Sequence, residues 1–201
     1  MAPKIVKKEQ KRQEIAKSAL LFIEEFGIEA FSTSALIKYM GIGKSSLYHY
    51  FESKEEILYE TFYLVTLDYV NNCKNEITDD MSLEDKLEIF FDFYLVDSKE
   101  NLWFRTIYLE YLKIFVDAHT DSMKEYNLSL FNLYETFFRQ ILQDGINKGE
   151  IKPEAINFAK SMILTADGML IYSFSIEEFD LSKELRNYLE SLMFLLKAKK
   201  C

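Results

Sequence analysis

The sequence predicts an all-α fold of about nine helices, and three observations predict it. Two prolines and six glycines are the only strong breakers in 201 residues, too few for the turns that a sheet protein of this size needs. Apolar residues recur at three- and four-residue spacing along most of the chain, which lines one face of a helix. Serine, threonine or aspartate heads many of these segments and glycine closes several, the usual punctuation of helix ends. At 49% hydrophobic and 28% charged, the chain reads as soluble and globular, with enough length to bury a substantial core. No stretch reads as a bilayer span, and no secretory signal opens it.

Taken in order, Ile15, Ala19, Phe22, Ile23 and Phe26 share one face of a first helix, which Gly27 is expected to end in a left-handed cap. Ser32 or Thr33 caps a short second helix with Leu36, Ile37 and Met40 on its apolar face, and Gly41 stops it. A third helix runs from about Lys44 to Tyr50. A capping box, Ser53 with Glu56, then starts a long fourth helix through Leu58, Phe62, Val65 and Tyr69. Ser82 with Asp85 begins a fifth, which carries Leu87, Phe90, Phe91 and Tyr94. Two more are expected over 99–116 and 121–147, the latter closed by Gly149. Pro153 opens an eighth that reaches Phe174, and Asp180 or Ser182 caps a ninth whose leucines repeat at helical spacing.

Charge divides the chain. The whole carries −9, yet residues 1–54 carry +3 and the remainder −12. Lys4, Lys7, Lys8, Lys11 and Arg12 crowd the beginning, a weak pointer to nucleic acid at that end and equally the pattern of a solvated arm. Cys73 and Cys201 lie far apart with no metal-ligand neighbours, so Cys73 reads as a small buried hydrophobe and Cys201 as a terminal residue. A reducing cytoplasm suits this usage.

Two short helices joined at Gly41 meet the description of a helix-turn-helix. Reading DNA this way needs small or polar side chains at the N-terminal end of the second helix, because that end enters the major groove. Gly43, Lys44, Ser45 and Ser46 fit: a lysine donates to guanine O6 and N7, and serine serves several base edges. Leu47 and Phe51, one turn apart, are expected to face inward. Tyr48, His49 and Tyr50 bring donors to the groove walls. Lys54 sits in the first turn of the next helix, where backbone N–H groups also favour phosphate.

These residues resemble the TetR family of bacterial transcriptional regulators. Its pattern of a helix-turn-helix followed by S-L-Y-x-[YH]-F-x-S-K-E is matched by Ser32, Leu36, Gly41, Ile42, Ser46, Leu47, Tyr48, Tyr50, Phe51, Ser53, Lys54, Glu55 and Ile57 or Leu58. The resemblance covers about residues 8–60, with Ile37, Gly43 and Ser34 departing from the family's usual alanine, hydroxyl cap and arginine. It implies that Lys44, Ser45 and Tyr48 face the groove, that Ser32, Thr33, Tyr50 and Lys54 contact phosphates, and that His49 serves either role. It also implies a reading head over residues 1–53 and a ligand-binding and dimerisation domain over 54–201, joined by the long fourth helix.

In the acidic remainder, aromatics concentrate over residues 90–138. Such stripes are ordinarily core, but the resemblance implies a small-molecule pocket there, and such pockets are apolar with a few polar groups. Trp103, Phe104, Tyr108, Tyr111, Tyr134 and Phe138 are the expected lining, with Arg105, Glu110 or His119 to fix a charged end. The last two helices carry Met162, Ala166, Met169 and Leu170, then Leu185, Leu189, Leu192 and Leu196, the expected faces of a dimer formed by two helices from each chain. Asp167 is expected at that interface or at the pocket.

No phosphate-cradling loop, HExxH motif or cysteine cluster points to an enzyme or to a metal or other cofactor. The function the resemblance implies is that of a cytoplasmic, homodimeric regulator that binds a palindromic duplex operator and is released from it by an apolar or aromatic small molecule. A helical carrier of an apolar ligand with a vestigial helix-turn-helix is the competing expectation.

Overall fold

The structure is a computed structural model that describes residues 3–116 and 121–198, with side chains at all of these except 3–7, 115, 122 and 123. His119 and Cys201, both considered above, lie outside the described residues, as do the side chains of Lys4, Lys7 and Phe115. The described residues form ten α-helices and two 3-10 turns, with one isolated antiparallel bridge between Ile151 and Lys197. The helices are α1 (Pro3–Phe26), α2 (Thr33–Met40), α3 (Lys44–Tyr48), α4 (Lys54–Glu76), α5 (Leu83–Phe90), α6 (Asp92–Leu95), α7 (Lys99–Val116), α8 (Asp121–Asn147), α9 (Ala159–Ser173) and α10 (Leu181–Leu196).

The predicted boundaries recur where a local chemical signal sets them. Ser32 is extended and accepts a hydrogen bond from the Ala35 amide at 3.1 Å, capping α2. Gly41 ends that helix at φ 65° and ψ 29°, a left-handed conformation in which a side chain is strained. Ser82 and Asp85 exchange both bonds of a capping box. Ser53 accepts from the Glu56 amide, although the Glu56 carboxylate returns to the amide of Glu52 instead of its own cap. Asp180, not Ser182, caps α10; the Ser182 hydroxyl donates to the carbonyl of Leu95.

Four expectations change. The first helix begins at Pro3, so the basic opening segment is helical and continuous with the core helix. Gly27 takes φ 84° with ψ 156°, a positive φ but outside the left-handed helical region expected of it. The single fifth helix is two, because the backbone leaves helical geometry at Phe91, φ −99° and ψ 10°. Pro153 opens a 3-10 turn over Pro153–Phe158, and the α-helix starts only at Ala159.

The chain divides into two compact units, and the divisions fall inside α4, α7 and α8. One unit comprises the chain up to Tyr69 together with Ile107–Leu130; residues 1–53 lie wholly within it. Its core is Ile15, Ala16, Ala19 and Ile23 of α1, Leu36, Leu47 and Phe51 around the turn, and Ile57 and Leu58 of α4, none more than 3% exposed. The other unit comprises Val70–Thr106 and the chain from Phe131 onward. Phe90 is its centre, fully buried, with its ring 4.3 Å from Phe138, 4.4 Å from Tyr134 and 5.0 Å from Phe91. Cys73 is buried there, its Sγ 3.7 Å from the carbonyl of Ile89.

Candidate nucleic-acid interface

The reading head follows from which side chains α3 buries. Leu47 is 0% exposed and Phe51 1%, so the helix is anchored along one side, and Lys44, Ser45, Ser46, Tyr48 and His49 are left on the surface. A five-residue helix has almost no intrinsic stability; these two apolar anchors hold it. Its N-cap, Gly43, offers no side-chain bond, and the bonds from Ser46 and Leu47 to the Gly43 carbonyl start it instead. The N-terminal side chains Lys44, Ser45 and Ser46 are exposed.

Around it the predicted contacts gather on the surface of one unit. The Lys44 ammonium lies 5.8 Å from the centre of the Tyr48 ring, and the Tyr48 hydroxyl is 3.4 Å from that of Thr33, tying α3 to the start of α2. Ser32 is exposed beside Thr33. The Ser32 oxygen accepts the cap bond, and its proton remains available for a phosphate. His49 and Tyr50 pack edge to face at 4.9 Å. Lys54 rests its ammonium 5.7 Å from the Phe31 ring at the first turn of α4.

Sequence reading did not find the group behind this surface. The guanidinium of Arg12 lies 4.2 Å from the centre of the Phe51 ring, donates to the Tyr50 carbonyl and to Glu56 at 2.9 Å, and reaches Glu60 at 3.1 Å and the Tyr126 hydroxyl. Tyr126 in turn donates to Glu60 at 2.9 Å. Burial, followed by the Glu60 carboxylate, pushes the Tyr126 phenol far above its ordinary pKa, so it stays protonated. The partners are 38 to 114 residues apart in sequence, and no local pattern announces them.

The expected pocket residues fall in both units. In the first, Tyr111 is 4% exposed and donates to Asn127 at 3.0 Å; its ring lies 4.5 Å from Phe62, 5.7 Å from Tyr59 and 5.8 Å from Tyr108. In the second, Trp103 packs edge to face on Phe104, Phe138 is fully buried, and the Tyr134 hydroxyl donates to the Phe90 carbonyl. Arg105 is buried as a loop clamp, bonded to the carbonyls of Phe93 and Val96 and to Asp97. Glu110 pairs with Lys113, and Asp167 accepts from Tyr94 at 2.7 Å.

Of the expected dimer residues, Met162, Ala166, Leu170 and Leu185 are 0% exposed and Leu189 and Leu196 6%; Met169 and Leu192 are half-buried. The chain's own core takes up most of that face. Leu164, Ile171 and Tyr172 of α9 and Phe194 and Leu195 of α10 stand in solvent instead, Phe194 at 79%.

Comparison with known proteins agrees with this geometry. Residues 14–61 match the family model of bacterial regulatory proteins of the tetR family. No curated protein matches the chain at a significant level. Among solved structures, a TetR transcription regulator from Haloarcula marismortui is similar at TM-score 0.71 and 15% identity, over 94% of this chain and 99% of that one. A TetR-family regulator from Cytophaga hutchinsonii is similar at 0.71 and 20%, over 96% and 98%. The regulator FadR from Bacillus subtilis, solved in complex with stearoyl-CoA, is similar at 0.64 and 22%, over 89% and 95%. Residues 14–61 thus match the tetR-family model, and the chain shares the all-α fold of solved TetR-family regulators over nearly its full length.

Proposed function

We infer that the protein is a homodimeric repressor that reads a palindromic operator through α3 and leaves it when an apolar or aromatic molecule binds. The observation that carries this reading is the exposed Lys44–Ser45–Ser46 end of α3, backed by Leu47 and Phe51 in the core. Lys44, Ser45, Ser46 and Tyr48 are proposed to reach base edges, Ser32, Thr33, Tyr50 and Lys54 to contact phosphates, and His49 to do either. With the whole chain at −9, non-specific attraction to DNA is weak, and the operator must be won by this local surface. A duplex selected by the wild-type protein from a randomised pool supplies the probe. Lys44→Ala and Tyr48→Ala are each expected to weaken it by roughly tenfold, about one good base contact. Unchanged affinity in both would remove the assignment. Affinity should also fall with salt at a slope of about −0.9 per phosphate neutralised; a wild-type chain that shows no salt-sensitive binding to any duplex is instead the carrier.

A repressor of this kind needs two reading heads about 34 Å apart, hence a dimer. The outward side chains of α9 and α10 are the proposed interface, with Phe194 as its anchor because a large exposed aromatic ring is the usual centre of such a patch. The half-buried Met169 and Leu192 adjoin it, while the buried Met162, Ala166, Leu170, Leu185, Leu189 and Leu196 support it from behind. Phe194→Glu is expected to raise the dimer dissociation constant roughly thirtyfold or more, by sedimentation equilibrium. A dimer as tight as the wild type would move the interface elsewhere.

For the effector, Tyr108 and Tyr111, ringed by Tyr59 and Phe62, are the proposed contacts in the first unit. Trp103, Phe104, Tyr134 and Phe138 are proposed contacts in the second. The stearoyl-CoA held by the Bacillus subtilis relative supports a long apolar molecule as the class to try first. Among the described residues no helix is long and apolar enough to cross a membrane, and a cytoplasmic site of action is part of the same reading.

A further inference from the structure

The cluster around Arg12 does more than close the core, because its five partners come from three different segments. Tyr50 and Phe51 lie two and three residues past the end of α3, Glu56 and Glu60 lie on α4, and Tyr126 lies on α8, all in one compact unit. The Arg12 side chain is only 14% exposed, and those of its neighbours Glu56 and Glu60 are 20% and 13% exposed. One planar cation thus receives a backbone carbonyl from the end of the recognition helix, two carboxylates and a phenol, while covering the Phe51 ring. A rigid fork of donors fixes direction as well as distance.

Tyr126 is the member that need not be there for charge balance. Glu56 and Glu60 already more than neutralise Arg12, and the phenol stays neutral. Its hydroxyl accepts from Arg12 Nη2 and donates to Glu60, so it holds Nη2 on the Glu60 side and leaves Nη1 for Glu56 and the Tyr50 carbonyl. Its ring stacks on Tyr59 at 6.0 Å, and Tyr59 meets Tyr111 edge to face and donates to the carbonyl of Ile114 on α7. Tyr111, one of the residues proposed to meet an effector, is therefore one ring removed from the residue whose hydroxyl orients Arg12.

We propose that Tyr126 and Arg12 are positioning residues for DNA reading: the Tyr126 hydroxyl sets the guanidinium, the guanidinium sets the Tyr50 carbonyl and Phe51 ring, and a shift of the first half of α8 becomes a shift of α3. The inference rests on the DNA-reading role given above. It adds a specific pair of groups through which the α8 side of the unit controls the head. Neither residue touches DNA; each acts through the end of the helix that does.

Tyr126→Phe tests it, because that change removes one hydroxyl and keeps the ring stacked on Tyr59. Against the duplex selected by the wild-type protein, Tyr126→Phe is expected to bind roughly fivefold to tenfold more weakly, about the worth of one ordinary hydrogen bond. The salt slope should not change, since no phosphate contact is lost. Arg12→Gln should weaken binding further, and the double variant should lose less than the product of the two single losses. Amide exchange over residues 46–51 of the DNA-free protein should quicken in Tyr126→Phe, while residues 36–40 of α2 hold their wild-type rates. A tyrosine that only stabilised the fold would lower the melting temperature and leave the affinity of the folded protein and the α3 exchange rates unmoved. That result overturns the relay, even if Arg12→Gln fails to fold. If the wild-type protein selects no duplex at all, the DNA-reading role falls and the relay falls with it; selection by the wild type with unaltered binding by Tyr126→Phe removes the relay alone.

Discussion

Phe51→Ala is expected to destabilise the first unit by about 3–5 kcal/mol, the usual loss for truncating a buried phenylalanine. The ring is 1% exposed, so the whole of its transfer energy is at stake, and the Arg12 guanidinium 4.2 Å above it loses its platform. The core has little freedom to collapse into the space, because Leu47 and Ile57, four residues before it and six after, are themselves 0% exposed and anchored to their helices. The functional consequence exceeds the thermodynamic one. A five-residue helix cannot persist without its anchors, and Leu47 alone leaves it free to rock about one point. Operator binding should therefore be lost in conditions where circular dichroism still reports a folded chain. The check is a urea titration beside a binding isotherm; a fall in stability under about 1 kcal/mol would mean that the cavity closes and that Phe51 is not the anchor.

The helix-turn-helix was legible because every determinant of it is local. Ser32, Gly41 and Ser53 act on amides three residues away or on their own backbone, and Leu47 and Phe51 declare their inward side by spacing alone. Periodicity says that a face is apolar and is silent about what covers it. The ladder Leu185, Leu189 and Leu196 was expected at a partner chain, yet α10 is apolar on two sides. The chain's own core takes that ladder, while Phe194 and Leu195 are left outside. The same ambiguity separated the aromatics of residues 90–138: Phe90 and Phe138 are core of one unit and Tyr111 packs in the other. The Arg12 group was beyond reach for a different reason. An arginine in a run of basic residues looks solvated, and only the fold brings Glu56, Glu60 and Tyr126 to it.

Asp144→Ala and Lys86→Met are expected to have opposite outcomes, though each breaks the same ion pair. The Lys86 side chain is 3% exposed on α5, and its ammonium donates to Asp144 of α8 at 2.6 Å; Lys148 reaches the same carboxylate oxygen at 2.8 Å from a more open position. Removing the carboxylate strands a buried cation, at a cost of about 3–5 kcal/mol, whereas Lys148 can turn to water. Removing the cation and keeping its length as methionine leaves Asp144 paired with Lys148, and the desolvation that Lys86 suffered disappears. Stability should then stay within about 1 kcal/mol of the wild type or rise. Adding Lys86→Met to Asp144→Ala should recover most of the loss, a positive coupling that distant sites do not show. Hydrogen bonds from Lys148 and then Lys86 hold the Asp144 carboxyl below the usual carboxylate range. The pair therefore contributes fully above the ordinary carboxylate pKa, and its contribution fades as pH falls through the depressed one. Asp144→Ala should flatten that acid limb in a plot of stability against pH. Asp144 lies in the second unit and none of the residues proposed to read DNA does, so the folded fraction of Asp144→Ala should keep its operator affinity, which separates this loss from that of Phe51→Ala.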